Sequence, residues 1–392
     1  MLELDYISYP PIHRYKYDNI INNLKNMKLE CVKDKFQKTF SKVEKISNKG
    51  GSNPILKCVF MEAKGSTLTL RATNLDLGIE ATLPVKIEEG GSIAVSGAIL
   101  GNFISLLDKE KSLKFEKKED SLQVSSERAS SSFKLYSQDE FPIIPHVSAE
   151  KSFSIASKDL IKGLKSVSYS ASLSTIKPEL ASVYIYPEEE SLVFVATDSF
   201  RLAEKKIKTK IKLDFDQILI PFKNVSDIIR VLEEKDEIIE VSFDKNQVSF
   251  TSEDFYLVSR VIEGTFPSYK QIIPKESKTE VVVLKQDFLN TLKIAHVFSD
   301  SFNRVTFIVS PSAKTLEIKT KNNDIGENIT KISASLSGED IQISFNYKNI
   351  FDCFQSIDAD SISLSFDGLN KAMIMRGVGD KTFFYLVMPM NK

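Results

Sequence analysis

Cysteine is scarce in this chain: only Cys31, Cys58 and Cys353 occur, with no CxxC spacing. An odd number without paired spacing argues against a disulfide framework or a zinc site, and predicts small buried thiols in a reducing compartment. Histidine is equally thin. His13, His146 and His296 lie far apart and no His-Glu-x-x-His pair occurs. No Gly-x-x-x-x-Gly-Lys-Ser/Thr loop is present to cradle a phosphate, and Ser199, beside Asp198, lacks the glycines of a nucleophile elbow. The expectation is a protein that is not an enzyme and needs no cofactor or metal. No apolar run approaches the roughly 18 residues that span a bilayer, and Met-Leu-Glu-Leu-Asp at the start lacks the basic-then-apolar order of a signal peptide. The expected setting is therefore cytoplasmic, with no membrane. An excess of charge is missing too: 52 Lys+Arg against 53 Asp+Glu give a net charge of -1. Any attraction to nucleic acid must come from local segregation of charge.

What is present is a repeat. Ser191-Leu-Val-Phe-Val-Ala-Thr-Asp-Ser-Phe-Arg-Leu-Ala203 has an upstream relative, Ser66-Thr-Leu-Thr-Leu-Arg-Ala-Thr-Asn-Leu-Asp-Leu-Gly78, and a fainter downstream one at Thr315–Asn322. Leu68, Leu192 and Leu316 stand 124 residues apart. Pro54-Ile-Leu56 matches Pro178-Glu-Leu180 at the same offset, and Phe141-Pro142 matches Phe266-Pro267 at 125. A period this long means three domain-sized units rather than a solenoid, whose repeats are about 20 to 50 residues. The expected division is an extension at 1–27 and domains at 28–150, 151–278 and 279–392. The extension carries the aromatic-basic patch His13-Arg14-Tyr15-Lys16-Tyr17. It reads as a mobile or surface-bound segment, or else as a contact for nucleic acid or a partner.

Each unit reads as helix, strands, helix, strands. The first has a strand at 29–32, a helix at 34–46, strands at 56–62, 68–72 and 78–83, a helix at 98–107 and strands at 112–116, 122–125 and 132–136. Phe36, Phe40 and Val43 form an apolar stripe at i, i+4 and i+7. Lys35, Lys38, Lys42 and Lys45 form a second stripe on another face. The second unit places Lys158, Lys162 and Lys165 similarly on a helix at 158–167, with Lys223 and Arg230 on another at 222–234. The third offers Lys293 on a helix at 286–298 and Lys348 on one at 346–357, and its last strand is expected to run over 381–390. One charged helix face is usually just solvated, but recurrence at one position suggests a shared positive lining. Such a lining meets phosphates without reading bases.

Three motifs then carry a resemblance: Ala196-Thr-Asp-Ser-Phe-Arg-Leu202, Gly264-Thr-Phe-Pro-Ser-Tyr269 and Tyr385-Leu-Val-Met-Pro-Met390. With the threefold period, the chain from about residue 28 resembles the bacterial DNA polymerase III beta subunits, the beta sliding clamp family. The resemblance implies an α+β fold of three similar clamp domains, with helices lining the inside and antiparallel sheets outside, closing as a head-to-tail homodimer around duplex DNA. It implies a processivity factor in DNA replication, nucleoid-associated, opened by a clamp loader and holding the replicative polymerase catalytic subunit. Other polymerases and repair proteins would join through short peptide motifs. The competing class is a three-domain peptide-binding scaffold without DNA encirclement, which needs no basic lining.

The resemblance also implies sites. A partner-peptide pocket is carried over onto Leu180, Thr197, Ser199, Phe200, Arg201 and Leu202, with Pro267 and Ile272, and with Leu386, Met388, Pro389 and Met390. The dimer interface is carried over onto Phe133 and Leu135 facing Val297 and Phe298. Departures from the family pattern are Ser199 and Phe200 for glycine and histidine, Gln271 for a basic residue, and Ser130 and Ser132 for basic residues at the interface.

Overall fold

The fold was obtained as a computed structural model that describes residues 26–47, 53–148, 151–209, 212–274 and 276–390. Six helices are described: α1 Lys33–Ser47, α2 Gly97–Ser105, α3 Ser157–Val167, α4 Phe222–Leu232, α5 Lys285–Val297 and α6 Tyr347–Phe351. Each is preceded by a short strand and followed by further strands, so the expected order recurs three times. The motif strands Thr67–Thr73, Ser191–Thr197 and Thr315–Asn322 begin 124 residues apart. The stripes read from the sequence face the interior, with Phe36, Phe40 and Val43 of α1, Leu160, Leu164 and Val167 of α3, and Phe288, Leu292 and Ala295 of α5 all buried.

The residues gather into two compact units that cut across the repeat. One runs to Ser154 and takes in Ile239–Arg260; the other comprises Ile155–Ile238 and Val261 onward. Strand pairing explains the division. In the first unit, Phe255–Arg260 from the second repeat pairs antiparallel with Leu77–Pro84 from the first, Leu257 opposite Ile79. In the second unit, Phe383–Val387 from the third repeat pairs with Arg201–Lys208 from the second, Leu202 opposite Leu386. Each junction joins the last strand of one repeat to the edge strand of the repeat before it.

The first unit is built on a 13-stranded sheet against which α1 and α2 pack. Phe36 stacks on Phe40 with centroids 5.3 Å apart and meets Phe115 at 4.7 Å. The second unit carries a nine-stranded and a four-stranded sheet, the latter ordered 326–332, 315–322, 304–310, 341–346. Cys31, Cys58 and Cys353 are buried without disulfides. Burial pushes the Cys31 thiol up to about 12, Cys58 to about 11 and Cys353 upward as well.

Several expectations need correction. The strand expected from Leu56 begins at Cys58, because Pro54 starts a 3-10 turn, Pro54–Lys57, capped by the Asn53 side chain. The helix expected at 346–357 is α6 followed by a 3-10 turn, Asp352–Ser356. The final strand ends at Val387, where Met388–Met390 leave the sheet. Met27, placed in the extension, is 1% exposed, and its carbonyl accepts from Lys117 N, so it belongs to the folded body. The patch His13–Tyr17 lies outside the described residues.

Candidate functional site

The recurring motif builds a turn. In Ser191–Thr197 and the strand after it, Thr197 Oγ1 donates to Arg201 O at 2.6 Å and accepts from Ser199 N at 3.2 Å. Asp198 Oδ1 accepts from Phe200 N at 2.9 Å and Arg201 N at 3.0 Å. The upstream motif repeats all four bonds: Thr73 Oγ1 to Leu77 O, Leu75 N to Thr73 Oγ1, and Asp76 N and Leu77 N to Asn74 Oδ1. A hydroxyl and an Asx carboxyl or amide oxygen fix the corner, which is why Ala-Thr-Asn/Asp recurs. The downstream relative keeps the Asx bond, Asp324 N to Asn322 Oδ1 at 2.9 Å, but has Lys321 in place of the threonine.

In the second unit this turn holds Phe200 in solvent, 66% exposed. Arg201 anchors the corner through Asp198 and reaches Asp352. Burial opposes its charge, but Tyr385, Asp352 and Asp198 outweigh that and hold the guanidinium protonated. Met388 N donates to Phe200 O at 2.8 Å, so the tail lies directly beside the turn. Phe200, Met388, Pro389 and Met390 line a cavity of about 410 Å³ together with Asp198, Asn346 and Asn349. Beneath it, Leu202 and Leu386 belong to a buried apolar cluster with Phe266, Tyr269 and Ala372, on which Met388 packs.

Of the twelve expected pocket residues, the structure brings four into the cavity lining and puts Leu202 and Leu386 into the cluster below. Thr197, Ser199 and Arg201 shape the turn rather than the lining. Pro267 is exposed and Ile272 ends the 3-10 turn Tyr269–Ile272, whose Tyr269 is in the same cluster. Leu180 is buried where Ser172 N donates to its carbonyl, and it does not line this cavity. Asp198, Asn346 and Asn349 were missed. Asn346 is signalled only as an N-cap, its Oδ1 accepting from Lys348 N at 2.9 Å.

A partly buried polar network adjoins the cluster. Tyr269 OH donates to Glu204 at 2.5 Å and lies 2.8 Å from Tyr186 OH, while Lys206 and Lys270 both pair with Glu188. Burial pushes the Glu204 carboxyl above its ordinary value even though the Tyr269 hydrogen bond opposes the shift.

The lysine stripes divide. Lys35 and Lys38 of α1 are exposed and Lys45 is half-buried. Lys42 is a correction: it is 5% exposed, with its ammonium 5.1 Å from the centroid of the Phe255 ring, so it leaves the exposed stripe. Its helical position turns it toward Phe255 and away from water. On α3 every lysine meets an acid: Lys158 with Asp236 at 3.1 Å, Lys162 with Asp358 at 3.1 Å, and Lys165 with Glu233. These pairs border a groove of about 420 Å³ along α3. Lys223, Lys293 and Lys348 are exposed, and Arg230 lies 3.4 Å from the buried Asp227.

Among the expected interface residues, Val297 is 63% exposed and Phe298 half-buried. Leu135 is half-buried and pairs with Val95. Phe133 is only 7% exposed because Phe103 covers it edge-on at 5.3 Å. It lines a surface groove with Ile99 and Phe103. Among the described residues no cluster of His, Cys, Asp or Glu is arranged to hold a metal, and no helix is long and apolar enough to cross a membrane.

Models of the DNA polymerase III beta subunit match the chain in series: the N-terminal domain over residues 27–145, the central domain over 154–268 and the C-terminal domain over 270–391. The beta sliding clamp of Synechococcus elongatus is 26% identical over 372 residues, covering 93% of this chain and 99% of the relative. That of Bacillus subtilis is 26% identical over 378 residues, covering 93% and 100%. The crystal structure of the Bacillus subtilis DNA polymerase sliding clamp superposes with a TM-score of 0.88 at 25% identity, covering 94% of this chain and 100% of that one. With three successive domain matches along nearly its whole length, on a fold of helices and antiparallel sheets, the chain belongs to the DNA polymerase III beta subunit family, the beta sliding clamps.

Proposed function

We propose that this chain is a DNA sliding clamp: two chains close head to tail around duplex DNA and tether the replicative polymerase, which by itself would dissociate. The observation that carries the ring is the repeated strand junction. Phe255–Arg260 docks on Leu77–Pro84, and Phe383–Val387 docks on Arg201–Lys208. The third member of each set is Ser130–Tyr136 and Gly326–Ile332. Strand 326–332 ends its sheet. Beyond its partner at 121–125, strand 130–136 pairs among the described residues only with Val95 and Ala94, through Leu135 and Tyr136. A junction between these two edges in different chains is heterologous, and two such contacts related by a two-fold axis close a dimer. Exposed Val297 and half-buried Phe298 then face Leu135 and the groove lined by Ile99, Phe103 and Phe133.

The ring places three domains per chain, 28–150, 151–278 and 279–392, with the lysine-bearing helices toward DNA. Lys35, Lys38, Lys223, Lys293 and Lys348 are its exposed cations, and Lys158, Lys162 and Lys165 are tempered by their acids. Phosphate contacts of this kind bind without base specificity and weaken steeply with salt. The Phe200–Met388 cavity receives peptide motifs of the polymerase catalytic subunit, of the clamp loader and of other polymerases and repair proteins. Methionines suit a site that must repack around several peptides. The chain is an accessory subunit without a catalytic role, working on the nucleoid in the cytoplasm.

Loading the protein on nicked circular DNA and then cutting the circle tests this. Retention on the circle and loss on linear DNA is expected; equal retention on both would favour the peptide-binding scaffold instead.

A further inference from the structure

One strand edge carries the returning chain in all three repeats, and in the third, among the described residues, nothing pairs with it beyond Met390. In each repeat the chain leaving the last strand turns back onto the strand before the second helix. Tyr136 pairs with Ala94, Ile262 N donates to Leu219 O at 2.9 Å, and Met390 N donates to Ser344 O at 2.8 Å. Ala94, Leu219 and Ser344 are 125 residues apart. In the first two repeats the chain then follows that edge. Gln138 Nε2 donates to Ser92 O, and Phe141 packs on Phe60 at 5.2 Å. Gln217 Nε2 donates to Gly264 O at 2.8 Å, and Phe266 stacks on Tyr184 at 4.6 Å.

The residue matching Ser92 and Gln217 in the third repeat is Gln342. It borders a cavity of about 760 Å³ whose walls include Arg304, Glu339, Leu369, Pro389 and Met390. Strand Ile341–Asn346 ends the four-stranded sheet, with Arg304–Ser310 on its other side. The N–H and C=O of one strand residue point the same way, and successive residues alternate. Ser344 faces Met390, so Gln342 presents its backbone donor and acceptor to the same open edge. The aromatic platform of the other repeats is replaced by Thr306, whose hydroxyl lies 2.8 Å from that of Ser344. Lys278, Arg304, Glu339 and Asp340 border the space. The groove therefore suits a polar, mixed-charge strand better than another Phe-Pro segment.

We propose that this edge docks an extended peptide, added as a short strand beside Gln342, from a partner whose adjoining residues fill the Phe200–Met388 cavity. Pro389 and Met390 line both spaces, so one peptide can run from the first to the second. Strand addition to an open edge draws affinity from main-chain bonds. The identity of the partner rests on the pocket reading above; the groove itself does not.

The test uses two nested synthetic peptides from the replicative polymerase catalytic subunit: the shortest segment that binds the intact clamp, and that segment with its natural flanking residues. The longer peptide is expected to bind about tenfold tighter, the scale of one or two backbone hydrogen bonds. Gln342→Pro should erase that gain and leave the short peptide unaffected, because the N–H it removes faces the open edge. In the unaltered protein only the longer peptide should slow amide exchange at Gln342, a readout that holds even if the proline variant misfolds. Equal affinity of the two peptides, a gain that survives Gln342→Pro, or unchanged exchange at Gln342 would each overturn the proposal. Failure of Phe200→Ala to weaken the short peptide would instead overturn the pocket reading.

Discussion

Leu75 and Ser199 occupy the same corner 124 residues apart, with φ of 74° and 77°, each held by a threonine hydroxyl and an Asx oxygen. A left-handed backbone costs a non-glycine residue about 1 kcal/mol or more, and the family pattern has glycine where Ser199 stands. Ser199→Gly is expected to stabilise the fold by about 0.5 kcal/mol after glycine's entropic cost. Ser199→Val should destabilise it by more than about 1 kcal/mol. Thermal unfolding of the two variants checks this, and equal losses in both would remove strain as the explanation.

The cations of α1 have separable roles. Lys35→Glu with Lys38→Glu should shorten residence on circular DNA and lower the salt slope by about 2, one for each phosphate that is no longer neutralised, with little change in melting temperature. Lys42→Glu should do the opposite: it removes the ammonium from the Phe255 ring and buries a carboxylate, costing about 2 kcal/mol or more. Salt titration and melting on the same proteins decide it; a Lys42 variant that melts normally would restore that residue to the exposed stripe.

Asp236 and Asp358 pair with Lys158 and Lys162, and if α3 faces DNA as proposed they compete with its phosphates. These pairs are largely exposed, so each contributes at most about 1 kcal/mol. Asp236→Asn with Asp358→Asn should tighten DNA binding by up to about fivefold per pair and slow diffusion along the duplex. Anisotropy titrations at two salt concentrations measure the first effect and single-molecule tracking the second. Unchanged affinity would mean that α3 does not meet DNA.

Val297 and Phe133 separate association from folding. Val297→Glu places a charge on an exposed apolar site and should yield folded monomers by sedimentation. Phe133→Ala should lower stability by roughly 2 to 4 kcal/mol, because Phe103 already covers that ring. If Val297→Glu sediments as a dimer at low micromolar concentration, the ring closes elsewhere.

Glu204 gives a pH signature. Its folded carboxyl keeps a proton to higher pH than the unfolded one, so just above the ordinary carboxylate value the native state binds more protons. Stability contributed there is present at low pH and is lost as pH rises through the folded value. Glu204→Gln should flatten that fall, measured as urea midpoints from about pH 4 to 7. Parallel slopes for the two proteins would show that another group sets the trend.

The sequence made the threefold period and the helix stripes readable because both are local: a motif offset and an i, i+4, i+7 pattern survive without knowledge of neighbours. Phe36, Leu160 and Phe288 were placed correctly for that reason. Lys42 was not, because the ring that covers it comes from Phe255, more than two hundred residues away. The burial of Phe133 was hidden for the same kind of reason, its cover being Phe103 on another element. The α3 lysines were visible but their acids were not, since Asp358 lies in a different repeat from Lys162. The pocket was legible as motif residues, but Asn346 and Asn349 joined it only through the return of the chain from Val387 to Met390.

The three sealed thiols make this chain a convenient chassis for chemical labelling. Cys31, Cys58 and Cys353 are each no more than 6% exposed, and their thiols titrate far above neutrality. The thiolate is the reactive form, so maleimide reagents should leave the native protein untouched. A single cysteine placed at an exposed site would take up a dye stoichiometrically, letting opening and sliding be followed on an otherwise unaltered molecule.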